Sequence, residues 1–388
     1  MNHATIEKLV PGGQAIATLE DGKKAFIWGA LPGETVEFEI TKNKKSYCEG
    51  IATKILEKSS YRIEPKDECY LATSPWQIMD YDYELKQKSQ LVKECFEQNH
   101  LDIEVKPTLT DGKQYGYRNK MEYSLYWDNE TEKIYPAFHV RGTHRKIAIK
   151  NSSIERPEIF QKAQEIIDGL NKQHAEARTY QALLIRANQQ GTVSAALFEN
   201  GKPHPIMTPL EDTLNDQKYT YSPNGFFQIN LPVYELALKE IAQNIETDKV
   251  LDLYAGVGSI GLSVAKGKDL TLVEVNGAAY EEMQKNAQNI APNATCILEK
   301  SENVTDYISP DCTVIVDPPR AGCDKHLIDR LLEIQPTKII YMSCNPITQA
   351  RDVAMLEEKY HLSPVQPLNF FPRTPHIESI ITLTRKAK

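Results

Sequence analysis

Three loops in this sequence carry residues with chemical potential, and each follows a short apolar run: Val250-Leu-Asp-Leu-Tyr-Ala-Gly-Val-Gly258, Val316-Asp-Pro-Pro-Arg320 and Tyr341-Met-Ser-Cys-Asn-Pro346. The second presents Asp317 on a proline pair, which fixes φ and holds a neighbouring side chain rigidly. The third presents Cys344 between two polar residues. Pro346 is suited to begin a helix running to Leu356, and a helix amino terminus lowers the pKa of a nearby thiol. Thiolate addition to carbon 6 of a pyrimidine makes carbon 5 nucleophilic enough to accept a methyl group, after which a base must remove the carbon 5 proton. Glu378 closes the segment Phe371-Pro-Arg-Thr-Pro-His-Ile-Glu378 and opens the apolar run Ser379 to Leu383, where it could be that base. His376 reads as a loop residue rather than the catalyst.

The glycine loop admits two cofactors. Gly256-Val-Gly-Ser-Ile-Gly261, with Glu274 at the next strand end as a ribose ligand, also fits the dinucleotide fingerprint. Asp252 tips the reading toward S-adenosylmethionine, because its negative charge suits a cationic methionyl group and repels a pyrophosphate. The loops around Asp317 and Cys344 have no use in a nicotinamide enzyme.

These loops need elements that bring them together. Lys249 to Leu253, Leu270 to Val275, Cys312 to Val316 and Thr337 to Tyr341 are near-continuous apolar runs, which read as strands buried on both faces. Helical patterns alternate with them at Ile260 to Ala265, Ala278 to Ile290 and His326 to Ile334. The fold class that follows is α/β, a doubly wound parallel sheet whose ligands sit beyond the strand carboxyl ends. Upstream, five short β-rich runs separated by Gly and Pro turns predict a small barrel over the first sixty residues. A helix is expected from Asp82 to Gln98, and residues 115 to 225 alternate strands with a helix from Pro157 to Asn171.

With 388 residues the chain accommodates two or three domains. No apolar stretch approaches a membrane span, and the amino terminus lacks the apolar core of a signal peptide, so a cytoplasmic protein without membrane contact is expected. Seven cysteines show no Cys-x-x-Cys pair, which argues against a disulfide framework or a zinc site. The net charge of −8 argues against indiscriminate polyanion binding. Two local basic patches nonetheless suit RNA: Lys42, Lys44, Lys45, Lys54, Lys58 and Arg62 in the first, and Lys113 to Lys150 in the second, with aromatics interleaved in Tyr115-Gly-Tyr-Arg-Asn-Lys120 and Phe138-His-Val-Arg-Gly-Thr-His-Arg145.

Taken together, these motifs resemble the S-adenosylmethionine-dependent RNA uridine carbon-5 methyltransferases, in the branch with an amino-terminal TRAM domain. Leu9-Val-Pro-Gly-Gly-Gln-Ala and Gly29-Ala-Leu-Pro-Gly-Glu34 look like the TRAM barrel, Tyr117-Arg-Asn-Lys120 like the central-domain signature, and Ser222-Pro-Asn-Gly-Phe-Phe-Gln-Ile-Asn230 like the loop before the catalytic domain. The resemblance implies a Rossmann-like class I methyltransferase sheet at 226–388, an OB-like TRAM barrel at 1–60 and an α+β RNA-binding domain at 61–225, with 77–108 packing on the catalytic domain. It makes Cys344 the nucleophile and Glu378 the base. It sets Gln228, Tyr254, Glu274 and Asp317 around S-adenosylmethionine, beside the glycine-loop residues Asp252, Gly256 and Gly258.

Many relatives hold an iron–sulfur cluster in the central domain. Here the register Leu71-Ala-Thr-Ser74, with Gln77 and Tyr81 following, lacks the cysteines, and Ser152 occupies the place of a later ligand. Cys69 alone cannot hold a cluster that needs four thiolates, so neither a cluster nor another metal is expected. The TRAM domain points to large-subunit ribosomal RNA as the partner, with the transfer-RNA T-loop as the alternative, and no obligate protein partner is evident. A cytosine-specific enzyme would commonly show a cysteine where this chain has Pro319. A nicotinamide oxidoreductase rests on the glycines alone, and a non-catalytic RNA-binding protein gives no reason for Cys344 and Glu378 to occur together.

Overall fold

A computed structural model describes residues 2–141, 145–150 and 152–387. The chain opens with β1 (Asn2–Thr5), β2 (Lys8–Leu9), β3 (Ala15–Thr18), β4 (Lys24–Trp28), β5 (Thr35–Asn43) and β6 (Tyr47–Glu57). Their inward residues alternate with solvated ones, the period-2 signature of a half-buried strand. β1 pairs with β5 while β2 pairs with β3, so one bent segment joins the two sides of the sheet and closes it as a small barrel. At the barrel's exit Arg62 donates to both oxygens of the fully buried Glu34, at 2.5 and 2.7 Å, and to Gly29 O. The first basic patch therefore loses Arg62 to a structural ion pair.

A single turn, α1 (Tyr70–Thr73), precedes the long helix α2 (Tyr81–Glu97), which Asp80 caps by accepting from Tyr83 N–H. The central sheet holds β7 (Lys120–Asp128), β8 (Lys133–His139), β9 (Lys146–Ala148), β10 (Ala182–Ala187), β11 (Val193–Glu199) and β12 (Lys202–His204), in the order β12-β11-β10-β7-β8-β9. One face is covered by α3 (Pro157–Lys172), whose Ile159, Ala163, Ile167 and Leu170 repeat at helical spacing and are buried. Gly142, Thr143 and His144 of the second basic patch lie outside the described residues.

The hairpin β13 (Leu210–Leu214) and β14 (Gln217–Tyr221) leads to α4 (Leu231–Ala242) and the large sheet. There β15 (Lys249–Leu253), α5 (Ser259–Val264), β16 (Asp269–Glu274), α6 (Gly277–Ile290), β17 (Thr295–Leu298), β18 (Cys312–Val316), α7 (Lys325–Ile334), β19 (Lys338–Ser343), α8 (Pro346–Leu356), β20 (Tyr360–Leu362), β21 (Gln366–Leu368) and β22 (Glu378–Arg385) follow in sequence. The strand order is β17-β16-β15-β18-β19-β22-β20, with β21 also on β22. β15 to β19 run parallel and β22 is antiparallel. This is the Rossmann-like sheet expected of a methyltransferase, and every residue of β18 and β19 is buried, as their apolar runs require.

Packing does not follow sequence order. α2 lies on α8, and a bridge joins Val105 to Val365, so residues from the start of the chain cover one face of the carboxyl-terminal sheet. The apolar core of the barrel and that face of the sheet form one continuous cluster. The β13–β14 hairpin packs on α6, where Asn286 bonds Thr220 N and O, although it precedes residue 226. None of the helices in the described residues is long and apolar enough to cross a membrane.

Candidate active site

The carboxyl ends of β15, β16, β18 and β19 and the start of β22 meet at one edge of the sheet. Register decides which of these residues stand opposite each other. Ser343 is paired with Ser379 in the antiparallel β19–β22 ladder, so the next residues outward, Cys344 and Glu378, face each other across its end. They are close enough for the Glu378 charge to act on the Cys344 thiol. Gln349, on α8, ties the two strand ends: its amide nitrogen donates to Tyr341 O and Ser379 O, and its oxygen accepts from Ser379 Oγ at 2.6 Å. In the neighbouring parallel pair, Val316 aligns with Tyr341, which brings Asp317 alongside.

Burial governs the ionisation of this group. The Cys344 thiol is pushed up to about 11, first by desolvation, then by Glu378 and Asp317, against the opposing pull of Arg320. This corrects the expectation of a depressed thiol pKa. α8 does begin at Pro346, but Asn345 caps it by accepting from Ile347 N–H, and two carboxylates outweigh the helix dipole. Glu378 is raised well above the usual carboxylate range by desolvation and then Asp317, and Asp317 is raised to about 7 by desolvation. Arg320 is held at the rim through its carbonyl, which accepts from Asn345 Nδ2 and Thr348 Oγ1.

The glycine loop builds a second region. Tyr254 takes a left-handed φ of 61°, followed by Gly256 at 58° and Gly258 at 83°. A side chain at Gly258 would press on Leu262 and Met283, and one at Gly261 would meet Leu272 and Asp252, so the tight turn requires glycine there. Glu274 accepts from Gly256 N–H at 2.8 Å and from Asn276 N–H at 2.7 Å, which joins two strand ends. Asp252 lies beneath the loop, fully buried rather than facing an open cleft. One oxygen accepts from Gly261 N–H at 2.8 Å, the other has no protein partner, and burial raises its pKa to about 7. A cleft of about 800 Å³ runs past Tyr254, Glu274, Val275, Ser301 and Pro319 to Lys325 and Met355. Gln228, Asp317, Cys344 and Glu378 are not part of its lining. The backbone of Gln228 is held by Asn119 Nδ2, which donates to its carbonyl at 3.1 Å.

Sequence reasoning missed the scaffold of the loop that carries Glu378. Within this loop Arg373 N–H donates to Glu84 Oε1, and Lys88 Nζ donates to Asn369 Oδ1 at 2.6 Å and Phe371 O at 3.0 Å. Glu84, Lys88 and Asn369 are fully buried, Arg373 is 2% exposed, and burial lowers Lys88 to about 8. Tyr117 OH donates to Pro372 O, and Trp76 bridges Gly13 O and Arg373 O. Gly13 sits so close that a Cβ there would overlap Pro375. The available signal was Glu84 and Lys88, two charges on the apolar face of α2. His376 sits in the same loop, its pKa pushed down to about 4 by desolvation and then by Arg320, Lys88, Arg141 and Arg118.

Around Ser74, Gln77 and Ser152, where the sequence lacks a cluster ligand set, the side chains are joined by hydrogen bonds. Gln77 Nε2 donates to Ser74 Oγ at 2.6 Å and to Asp67 Oδ2 at 2.8 Å, Ser153 bonds Asp67, and Ser152 bonds Glu155. Among the described residues no group of three or more His, Cys, Asp or Glu is disposed to hold a metal ion.

Comparison with known proteins places this geometry. The tRNA (Uracil-5-)-methyltransferase family model matches residues 300–386, and the TRAM domain model matches residues 3–53. An uncharacterized RNA methyltransferase of Lactiplantibacillus plantarum is 30% identical, with 98% of this chain and 96% of that protein covered. The chain belongs to the RNA (uracil-C5-)-methyltransferase family. Another uncharacterized RNA methyltransferase, from Bacillus cereus, is 28% identical over 98% of this chain and 96% of its own length. The fold of this methyltransferase is shared by the Pyrococcus abyssi tRNA (uracil-54, C5)-methyltransferase, solved with S-adenosyl-L-homocysteine. There the TM-score is 0.78 and the identity 24%, covering 98% of this chain and all of that one. The barrel of the methyltransferase is its TRAM domain, and the sheet with Cys344 and Glu378 at its edge lies largely in the segment matched to the uracil-C5 enzymes.

Proposed function

We propose that this enzyme methylates carbon 5 of a specific uridine in large-subunit ribosomal RNA, in the cytoplasm, with Cys344 as nucleophile and Glu378 as base. The observation that carries the reading is the opposition of Cys344 and Glu378 at the end of β19 and β22, with Asp317 beside them. The roles divide along the chain: barrel 1–60 and central region 61–225 hold RNA, and 226–388 carries the chemistry, braced by 77–108.

The residues present suit S-adenosylmethionine. Glu274, fixed by two backbone donors, keeps acceptor capacity for ribose hydroxyls, and Asp252 supports the glycine turn from beneath through Gly261 N–H. Tyr254 and the Gly256 and Gly258 turns shape the same edge, and Gln228 and Asp317 complete the surround. When bound, the cofactor supplies an electrophilic methyl group.

The target uridine leaves its stack to reach the site. Cys344 loses its proton to solvent and the thiolate sulfur bonds to carbon 6, the carbon 5–carbon 6 π electrons moving toward the carbon 4 oxygen. Carbon 5 is then nucleophilic and becomes methylated. The Glu378 carboxylate takes the carbon 5 proton, the carbon 5–carbon 6 double bond re-forms, and the Cys344–carbon 6 bond breaks to release the thiolate. Arg320 lowers the pKa of both Cys344 and Glu378, so it favours the charged forms these steps need. The transfer-RNA T-loop is the second reading, favoured by the name of the matched family, tRNA (Uracil-5-)-methyltransferase.

Incubation with tritiated S-adenosylmethionine and unmodified ribosomal or transfer RNA, followed by digestion to nucleosides, tests the proposal. Label in 5-methyluridine from ribosomal RNA supports it. Label from transfer RNA alone moves the enzyme to the second reading, and no label in either pool despite cofactor binding contradicts both.

A further inference from the structure

The loop Ser222–Asn230 carries Gln228, yet the groups that hold it come from the central sheet. Arg186 on β10 is fully buried. Its guanidinium donates to Phe227 O at 2.6 Å, to Gln228 O at 3.3 Å and to Gly225 O at 3.3 Å, while lying 4.6 Å from the Tyr221 ring centroid and 5.6 Å from that of Phe227. Lys120 is its register partner across the β7–β10 ladder, and Lys120 Nζ donates to Asn224 O and Gly225 O, both at 3.0 Å. Asn119, one residue earlier, takes the Gln228 carbonyl through Nδ2 and accepts nothing through its own buried oxygen. Four residues of the loop, Asn224, Gly225, Phe227 and Gln228, are thus gripped through their backbone carbonyls by the side chains of Asn119, Lys120 and Arg186.

An interior cation is costly unless its hydrogen bonds are worth having. Among the described residues no carboxylate forms a salt bridge with Arg186; Asp212 reaches it through Tyr221, whose hydroxyl donates to Asp212 at 2.5 Å. The guanidinium is a rigid fork that can meet several carbonyls at fixed angles, whereas an ammonium is a single point on a flexible stem. The charge is therefore spent on the conformation of the loop.

We infer that Arg186, assisted by Lys120, is a positioning residue that sets Gln228 for the cofactor and links the central RNA-binding sheet to the cofactor region. The inference rests on the proposed placement of Gln228 at S-adenosylmethionine.

The test measures binding of S-adenosyl-L-homocysteine by calorimetry, together with the ligand-free melting temperature and RNA binding, for wild type, R186M, R186K, K120M and Q228A. Arg186→Met weakens ligand affinity by about tenfold or more, since misplacement of a contact by an ångström is enough for such a loss. Arg186→Lys recovers part of it, RNA affinity stays within about twofold, and in turnover the KM for S-adenosylmethionine rises more than kcat falls. Lys120→Met, at a partly exposed position, gives a smaller loss in the same direction. A lower melting temperature with unchanged ligand affinity overturns the inference. If the Arg186 variants do not fold, Lys120→Met decides alone, and wild-type affinity there overturns it. Q228A keeps the two readings apart: wild-type affinity in Q228A sinks the placement of Gln228, whereas a loss in Q228A with none in R186M or K120M sinks only the role of Arg186.

Discussion

The glycine-loop region and the region of Cys344 and Glu378 share one sheet edge but are built differently. Around the glycine loop, Asp252, Gly256, Gly261 and Glu274 bond to one another within about one strand–helix–strand unit. Around Cys344 and Glu378, the ends of two strands are local to the carboxyl-terminal sheet, but the loop that leads into Glu378 is held by Gly13 of the barrel, Trp76, Glu84 and Lys88 beside it, and Tyr117 of the central region. The glycine loop is held within its own unit, although Gln228 beside it is fixed from the central sheet. The second region borrows its rigidity from segments some 250 residues and more away in sequence, so a change in the barrel reaches Glu378 while leaving the glycine loop alone.

The largest effect that separates the two regions is at Cys344. Cys344→Ala abolishes methylation while S-adenosyl-L-homocysteine affinity stays within about twofold, as expected when a group acts in the chemistry and not in binding. A large loss of ligand affinity would sink its assignment as nucleophile.

Next comes the pH dependence. Below a pKa near 11 the thiolate fraction rises about tenfold with each unit of increasing pH, and the raised Glu378 likewise gains its basic form as pH rises. The kcat/KM profile therefore climbs by about tenfold from pH 7 to pH 8 and continues upward, while cofactor affinity does not follow it. A profile flat over that range would mean the thiol is already ionised in the free enzyme.

The borrowed scaffold is tested at Gly13 with Gly12 as control. Both have positive φ, but a side chain at Gly12 meets nothing within 4 Å whereas one at Gly13 collides with Pro375. Gly13→Ala costs about 1–3 kcal/mol of stability beyond the shared backbone strain and lowers kcat more than it changes cofactor affinity. Equal behaviour of the two variants in melting temperature and kcat would show that the barrel does not brace the catalytic loop.

The smallest effect is on RNA binding at the barrel surface. Lys44 and Lys45 are exposed and, unlike Arg62, are not tied into a structural ion pair. Replacing both by Ala lowers the slope of log affinity against log salt by about 1.5, the share of two phosphate contacts. An unchanged slope would remove this edge of the barrel from the RNA surface.

What was legible in the sequence follows the same division. β15 is bounded at Lys249 and Leu253 as its apolar run indicated, and α2 and α3 fall within a residue of their expected limits, because period and caps are local signals. The facing of Cys344 and Glu378 was legible only as a motif, since it depends on an antiparallel register that no local pattern encodes. The sign of the thiol's pKa shift was misread for the same reason: the helix start was visible in Pro346, but the burial that outweighs it, and the two carboxylates that add to that burial, come from other parts of the fold. Arg186 gave no signal of its role, because a lone Arg in an apolar strand reads the same whether it faces water or a loop folded back from forty residues on.

The central claim is that Cys344 bonds to uridine and that Glu378 releases it. The direct measurement is to mix the Glu378→Gln enzyme with unmodified RNA and S-adenosylmethionine, resolve the products in a denaturing gel, and map any cross-linked peptide by mass spectrometry. The account predicts a retarded protein–RNA band whose linkage maps to Cys344 and carries a methylated uridine, absent when Cys344→Ala is added. Bound RNA with no covalent band, or a band that survives loss of Cys344, would contradict it.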